Sequence, residues 1–203
     1  MTESHENVRL EAFCDGVFAI AMTLLIIDVK LPATDALHTN ADVWNAVYHL
    51  LPTIVAFLLS FGIILITWVN HHAALRLVHK SSTSFYYANG FLLLTIVAIP
   101  LTTSLLGEFV LTDHAGPAVV LYDGVLAVQA VAWLSVMGSA IKNRLIDEKH
   151  LASTQESRRS GYFALVLYSL LALAGYWFPL AAAVVTTLTF ISWLALSVRL
   201  NRG

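Results

Sequence analysis

The side chains that could hold a proton or an ion lie at neighbouring ends of two apolar stretches. The first stretch opens with Arg9, Glu11 and Asp15, and the second ends in the run Trp68-Val69-Asn70-His71-His72. A charge inside a membrane span is costly, so each such residue is a functional candidate. Lipid offers polar groups no hydrogen-bond partner, and we therefore predict that these groups form a buried network. Its predicted members are Arg9, Asp15, Trp68, Asn70 and one of the two histidines.

Metal binding by His71 and His72 is the alternative for the second stretch. Neighbouring residues on a helix point about 100° apart, whereas the paired histidines of zinc sites lie four residues apart and share a face. No cysteine or carboxylate stands at a spacing that would complete such a site, so we expect no bound metal. The sequence also lacks the Gly-x-Ser-x-Gly, His-Glu-x-x-His and phosphate-loop motifs. We predict no cofactor and no enzymatic activity, with Cys14 as a small apolar filler.

Composition identifies the elements that would position these residues. The 203-residue chain is 58% hydrophobic and 12% charged, and its mean hydropathy is +0.75. A soluble protein of this size keeps about a third of its unfolded surface wet and could not hide so much apolar area. Disorder requires low hydrophobicity, and nucleic-acid binding requires a basic surface that a pI of about 6.4 does not provide. The sequence therefore predicts an integral membrane protein.

Six apolar segments are long enough to cross a hydrocarbon core about 30 Å thick as helices. Their apolar runs are continuous rather than alternating, which favours helices over barrel strands. The predicted fold is all-α, with one domain over residues 1–203 and spans at about 8–31, 44–69, 85–106, 118–141, 162–176 and 180–200. The polar stretch 142–160 is predicted to be a loop between the fourth and fifth spans.

The basic residues orient these spans. If six spans alternate, ten of the eleven Lys and Arg residues lie on one side of the membrane, and Lys30 alone lies on the other. The ten are Arg9, Arg76, Lys80, Lys142, Arg144, Lys149, Arg158, Arg159, Arg199 and Arg202. The positive-inside rule then places both termini in the cytoplasm.

An apolar stripe runs along the first predicted helix. Counted from Ile20 at about 100° per residue, Leu24 lies at about +40° and Ile27 at about −20°. Thr23 flanks the stripe at about −60°, and Asp15 lies well away from it at about −140°. Such a stripe is usually a seam against another helix or against lipid. If copies of the chain surround an axis, it can instead line a pore whose hydrophobic rings exclude water. Periodicity alone leaves both interpretations open.

The first helix also carries a distinctive motif. Arg9-x-x-x-Phe13-Cys14-Asp15 resembles the Arg-x-x-x-Phe-Ser-Asp signature of the transmembrane protein 175 potassium-channel family, with Cys14 in place of the serine. This family includes the lysosomal potassium channel and its short prokaryotic relatives. The segment Trp68-x-x-His71-His72 is similar to the motif of the family's second helix. The length and the six predicted spans resemble the layout of its single-repeat prokaryotic members.

The resemblance implies a potassium-permeable homotetramer of six-span subunits, in the inner membrane of a prokaryotic cell, with the first helix lining a central pore. It implies that Ile20 forms the narrowest hydrophobic ring, with further rings at Leu24 and Ile27 and a hydroxyl layer at Thr23. The polar network that would hold the pore helix against its neighbours is Arg9, Phe13, Asp15, Trp68, Asn70 and His71. The implied partners are potassium ions, the lipid bilayer and other copies of the chain, and we expect no nucleic acid.

Two other classes of function stay open. Residues 15–20 are similar to residues 123–128, and such an internal similarity, together with charges inside the spans, is also found in secondary transporters with inverted halves. A proton-coupled transporter, or proton conduction through the same pore, is therefore the alternative to a potassium channel. A membrane scaffold without transport activity is the third hypothesis.

Overall fold

The computed structural model describes the backbone of residues 2–30 and 37–200, and the side chains of residues 8–27, 29–30 and 37–194. Leu31, the last residue of the first predicted span, lies outside the described residues, as do Arg202 and the side chain of Arg199. Among the described residues the regular elements are helices, and Val78 and Ile146 form an isolated antiparallel bridge. The predicted all-α fold is confirmed at this level.

Seven α-helices succeed one another along the described chain. They are α1 (Thr2–Leu24), α2 (Asn40–His49), α3 (Leu51–Leu75), α4 (Thr83–Phe109), α5 (Ala115–Lys142), α6 (Leu151–Gly175) and α7 (Pro179–Leu200). Four described segments are long and apolar enough to cross a membrane: Val8–Ile27, Leu51–Leu75, Thr83–Phe109 and Ala115–Lys142. The segment Pro179–Leu194 of α7 is apolar but shorter.

Helix α1 does not keep α-helical geometry to the end of the predicted span. It passes at Leu24 into a 3-10 turn over Leu25–Asp28. The backbone N–H of Val29 closes this turn by donating to the carbonyl of Ile26 at 3.2 Å. A 3-10 turn is wound more tightly than an α-helix and rises further per residue.

The second predicted span is divided between two helices. Trp44 lies in α2, whose first turn is stabilised by a capping box between Thr39 and Asp42. Hydrogen bonding with the Thr39 side chain, and then with the backbone N–H groups of Thr39 and His38, lowers the pKa of Asp42. Helix α3 starts anew at Leu51 with Pro52 in its first turn, where the absent N–H is harmless.

The polar stretch 142–160 is a loop only in its first part, which corrects the prediction. The chain becomes helical again at Leu151, where α6 begins. Helix α6 packs along α5, and the Trp133 indole N–H donates to Ser157 Oγ at 3.2 Å. Ser157, in the polar first half of α6, therefore has a partner on α5, which the pattern of apolar runs does not reveal.

Helix α4 lies at the centre of the bundle, in contact with α1, α3 and α5. Its interior face is apolar, with Leu92, Ile96 and Ile99 fully buried. Near the C-terminal end of α4, the missing side chain of Gly107 allows α3 to approach closely. A Cβ atom on Gly107 would stand 2.8 Å from the Cα of Thr53. These contacts fix the positions of α3 and α4, against which α1 packs.

Buried hydroxyls join the central helices. Thr103 Oγ1 donates to Ser60 Oγ at 2.6 Å, and Ser60 Oγ lies 2.9 Å from the Tyr122 hydroxyl. All three side chains are buried. The chain of hydroxyls satisfies polar groups of α3, α4 and α5 without water, as a membrane interior requires.

Candidate functional site on helix α1

Helix α1 has one face packed against the bundle. The buried residues recur at intervals of three or four positions and are Leu10, Cys14, Phe18, Ala21 and Leu25. This spacing places them on one side of an α-helix. They contact α3 and α4, so the rotation of α1 about its axis is fixed by its packed face.

A second face of α1, about 110° around the helix from the packed one, carries the predicted apolar stripe and is exposed in the subunit. The exposed fraction is 60% for Ile20, 39% for Leu24 and 59% for Ile27. Thr23, which is also exposed, donates its hydroxyl proton to the carbonyl of Ile20 at 2.8 Å. Its oxygen lone pairs therefore stay available to an acceptor role, such as cation coordination. A row of large exposed apolar side chains normally requires a cover, such as lipid or another protein surface.

Asp15 binds α1 to α3. The indole Nε1–H of Trp68 donates to Asp15 Oδ1 at 2.7 Å, and both side chains are half-buried. A hydrogen bond to an ionised acceptor is stronger than one between neutral groups, with a net contribution of about 1.5–3 kcal/mol. The Trp68 ring also stacks on His72, with ring centroids 5.9 Å apart and planes at 26°.

His71 binds α3 to α4. Its Nε2 lies 2.7 Å from Asn89 Oδ1, and Asn89 Nδ2 donates to the carbonyl of Phe85 at 2.8 Å. Because Asn89 thus presents its oxygen to the ring, Nε2 is the nitrogen that carries the proton. The ring is 1% exposed and packs against Phe18 of α1 at a centroid distance of 5.5 Å. His71 on α3 therefore contacts both α4 and α1.

His72 faces the carboxylates of α1. Its Nδ1 lies 2.8 Å from Glu11 Oε1, and both side chains are 31% exposed. Ligand atoms of Glu11, Asp15 and His72 all lie within 4.8 Å of one another. The two neighbouring histidines thus serve different partners, as the angle between adjacent helical residues requires.

The structure brings together only part of the predicted network. Asp15 and Trp68 are bonded, and His71 is buried next to them. Arg9 and Asn70 are exposed, with no hydrogen bond or ion pair to another described side chain. Phe13 is 63% exposed and lies with the apolar stripe, because it falls at about +20° on the count from Ile20. The subunit therefore places these three residues outside the buried network.

Sequence reasoning missed three residues of the site. Glu11 and His72 form a pair, and Asn89 is the partner of His71. The four-residue spacing of Glu11 and Asp15 indicates a shared helix face and could have revealed two carboxylates available to α3. Asn89 gave no comparable signal, since its role depends on how α4 packs.

The sequence of the chain is similar to those of a family of channels. Residues 9–100 match the family described as "Endosomal/lysosomal potassium channel TMEM175". A protein of Chamaesiphon minutus named a potassium channel is 38% identical over 148 residues, covering 72% of this chain and 72% of its own length. A protein of Gallus gallus named an endosomal/lysosomal proton channel is 31% identical over 119 residues, which are 56% of this chain but 24% of that protein.

A solved structure has the same fold over nearly the whole chain. It is described as a lysosomal potassium-selective channel TMEM175 homolog from Chamaesiphon minutus. The TM-score is 0.85 at 30% sequence identity, and the alignment covers 95% of this chain and 98% of the other. The similarity therefore extends well beyond the matched motifs of α1 and α3.

The bond between His71 and Asn89 leads to a test of the network. We expect Asn89→Ala to lower the free energy of unfolding by about 1–3 kcal/mol, because the Nε2–H of the buried ring loses its acceptor. The matched control is Asn70→Ala on α3, whose exposed side chain should change stability by less than about 0.5 kcal/mol. Thermal unfolding of the purified protein in detergent measures both. A larger effect of Asn70→Ala than of Asn89→Ala would contradict the assignment.

Proposed function

The chain belongs to the TMEM175 family, and on that premise we propose that it is a potassium-permeable cation channel in the inner membrane of a prokaryotic cell. The family is one of ion channels and not a class of enzymes. The observation that carries the proposal is the exposed apolar face of α1 in a fold that a potassium-selective homologue shares.

We propose that the functional unit is a homotetramer of six-span subunits with both termini in the cytoplasm. The four segments already described would provide four crossings, and the apolar part of α6 from about Tyr162, together with α7, would provide two more. This arrangement would place the exposed stripe of each α1 at a common axis. It would thereby cover a surface that no described part of the same subunit covers.

The proposed pore is lined by α1. Ile20 would form the narrowest hydrophobic ring, and Leu24 and Ile27 would form further rings along the same line. Thr23 would add a layer of hydroxyl oxygens next to the constriction, since its proton is already donated to its own helix. The support for this proposal is the exposure of these four side chains on one face of α1.

The constriction would act by excluding water. A ring of isoleucine side chains that is too narrow to stay hydrated blocks ions without any charged gate. Opening then requires the four copies of α1 to move apart or to rotate. Potassium loses its hydration shell at lower cost than sodium, so such a constriction favours potassium, and we expect modest selectivity.

The polar contacts of α1 would set the position of this ring. Asp15 is bonded to Trp68 on α3, and Phe18 packs on His71, which is bonded in turn to Asn89 on α4. Any rotation of α1 would have to break these contacts or move the contacting residues of α3 and α4 together with α1. We therefore propose that they determine the resting position of Ile20 and do not themselves conduct ions.

Proton conduction is the second candidate function. The similar proteins of Gallus gallus and Danio rerio are named proton channels, although this chain spans only 24% and 22% of their lengths. A proton-coupled secondary transporter is the related alternative. The proton channel and the proton-coupled transporter would both use Asp15 in transport, whereas a simple potassium pore would not.

Reconstitution in liposomes tests the proposed function. We expect the purified full chain to carry potassium down its gradient, with a flux proportional to the driving force and independent of any pH gradient. The measurement is potassium-driven dye response in vesicles, with protein-free vesicles as the control. Saturable flux that requires a pH gradient, and that Asp15→Asn abolishes, would favour the transporter. Acidification of vesicles in the absence of potassium would favour the proton channel.

Ile20→Asn tests the proposed constriction. An amide at this position should hydrate the ring, so we expect a several-fold increase in potassium leak or a loss of discrimination against sodium. Ile26→Asn is the matched control, since Ile26 is 53% exposed in the 3-10 turn that follows α1 but lies off the stripe. The same vesicle assay compares the two. Equal flux through the wild-type protein and Ile20→Asn would reject Ile20 as the gate.

The oligomeric state is the third test. One six-span subunit with a single stripe cannot enclose a conduit, so the proposed channel must assemble. We expect a mass in detergent equal to four copies of the 22.2-kDa chain after subtraction of bound detergent. Light scattering coupled to gel filtration, or native mass spectrometry, measures it. A monomer at all concentrations would exclude the pore and favour a scaffold.

A further inference from the structure

Three metal-ligating side chains meet between α1 and α3. Glu11 and Asp15 are one helical turn apart on α1, and His72 reaches them from α3. Each offers one ligand atom, and these atoms all lie within 4.8 Å of one another. Four atoms arranged tetrahedrally around one zinc ion lie about 3.4 Å apart. The donors thus need only small side-chain rotations to surround a common centre.

The histidine nitrogen in this group lacks a hydrogen-bond partner. Nδ1 of His72 approaches Glu11 Oε1 to 2.8 Å, but the two groups are not aligned as a hydrogen bond. The nitrogen is itself buried and finds no other partner among the described residues. A buried ring nitrogen between two carboxylates is an arrangement that a bound cation would satisfy.

Contacts with Trp68 hold two of the three ligands in place. Trp68 donates its indole N–H to Asp15 Oδ1, and the same indole ring stacks on His72. One side chain therefore orients two of the three ligands. Hydrogen bonds of this kind around metal ligands typically change metal affinity about 10–100-fold.

We propose that Glu11, Asp15 and His72 form a binding site for a divalent transition-metal ion, with Zn²⁺ as the ion that fits best. Imidazole nitrogen and carboxylate oxygen are both zinc ligands, and a site with three protein ligands leaves the fourth tetrahedral position to water. The two carboxylates balance the charge of the ion. Mg²⁺ and Ca²⁺ prefer sites made entirely of oxygen ligands, so the imidazole disfavours them.

A bound ion would join α1 to α3 more firmly than the hydrogen bond of Asp15 alone. If α1 lines the pore, which rests on the function proposed above, the ion would restrain the movement that opens the constriction. Zn²⁺ should then reduce potassium flux. Binding itself does not depend on that function, so the two inferences can fail separately.

Calorimetric titration of the purified full chain with Zn²⁺ tests the site. We expect one ion per chain, and at least about a tenfold weaker affinity in Glu11→Gln, Asp15→Asn and His72→Phe, since each removes one ligand. His72→Phe keeps a ring to stack on Trp68, and Asp15→Asn keeps an oxygen to accept its N–H. Trp68→Phe should weaken binding about 10–100-fold although it removes no ligand.

His114→Ala is the matched control, because His114 is an exposed histidine in the loop between α4 and α5. It should leave the affinity for Zn²⁺ unchanged. Thermal unfolding without metal identifies any variant that fails to fold, and the conservative Glu11→Gln then decides. Absence of saturable Zn²⁺ binding in the wild-type protein would overturn the proposal. So would binding that survives in folded Glu11→Gln and His72→Phe, or displacement of Zn²⁺ by equimolar Mg²⁺.

Discussion

The structure depends on one requirement, which is that a carboxylate on an apolar helix must find a partner inside the protein. Lipid provides none, and the cost of an unsatisfied charge is several kcal/mol. Asp15 meets the requirement by accepting the Trp68 indole N–H. This bond, together with the packed residues from Leu10 to Leu25, fixes which way α1 is turned. With α1 held in this orientation, the apolar stripe faces away from the rest of its own subunit.

The same requirement is met differently elsewhere in the bundle. His71 and Asn89 satisfy each other between α3 and α4, and buried hydroxyls of three helices satisfy one another between α3, α4 and α5. Each of these contacts joins different helices, so polar groups serve as specific links in an otherwise apolar interior. The contacts of α1 belong to this system, and a channel built on α1 would be coupled to the whole bundle through a few hydrogen bonds.

Much of the fold could be predicted from the sequence, because long apolar runs and a helical period are strong signals. The all-α class follows from composition and the existence of the stripe on α1 from angles, whereas its exposure in the subunit is visible only in the structure. The division between α2 and α3 was not predicted, since it lies at Leu50, just before Pro52, inside the predicted span, and no side chain caps the start of α3. The helical start of α6 was missed for the opposite reason, because its sequence is polar although the segment is helical and packs along α5.

The site was predicted less completely than the fold. Asp15 and Trp68 could be paired from depth in the membrane, and Asn70 was predicted in the network because it is next to His71 in sequence, whereas Asn89 was not identified. Which asparagine reaches the ring is decided by tertiary packing. The spacing of the two histidines on α3 argues against a metal site, but the two carboxylates that approach His72 belong to another helix. Sequence spacing describes one helix at a time, whereas this site is made by two.

The 3-10 turn at the end of α1 has a geometric consequence for the stripe. On an ideal α-helix Leu24 and Ile27 would differ in direction by about 60°, whereas residues three apart in a 3-10 helix eclipse each other. The tighter winding over Leu25–Asp28 therefore stacks the two side chains in a single file parallel to the helix axis. If those four residues relaxed to α-helical form, the segment would shorten by about 2 Å and the file would become a spiral.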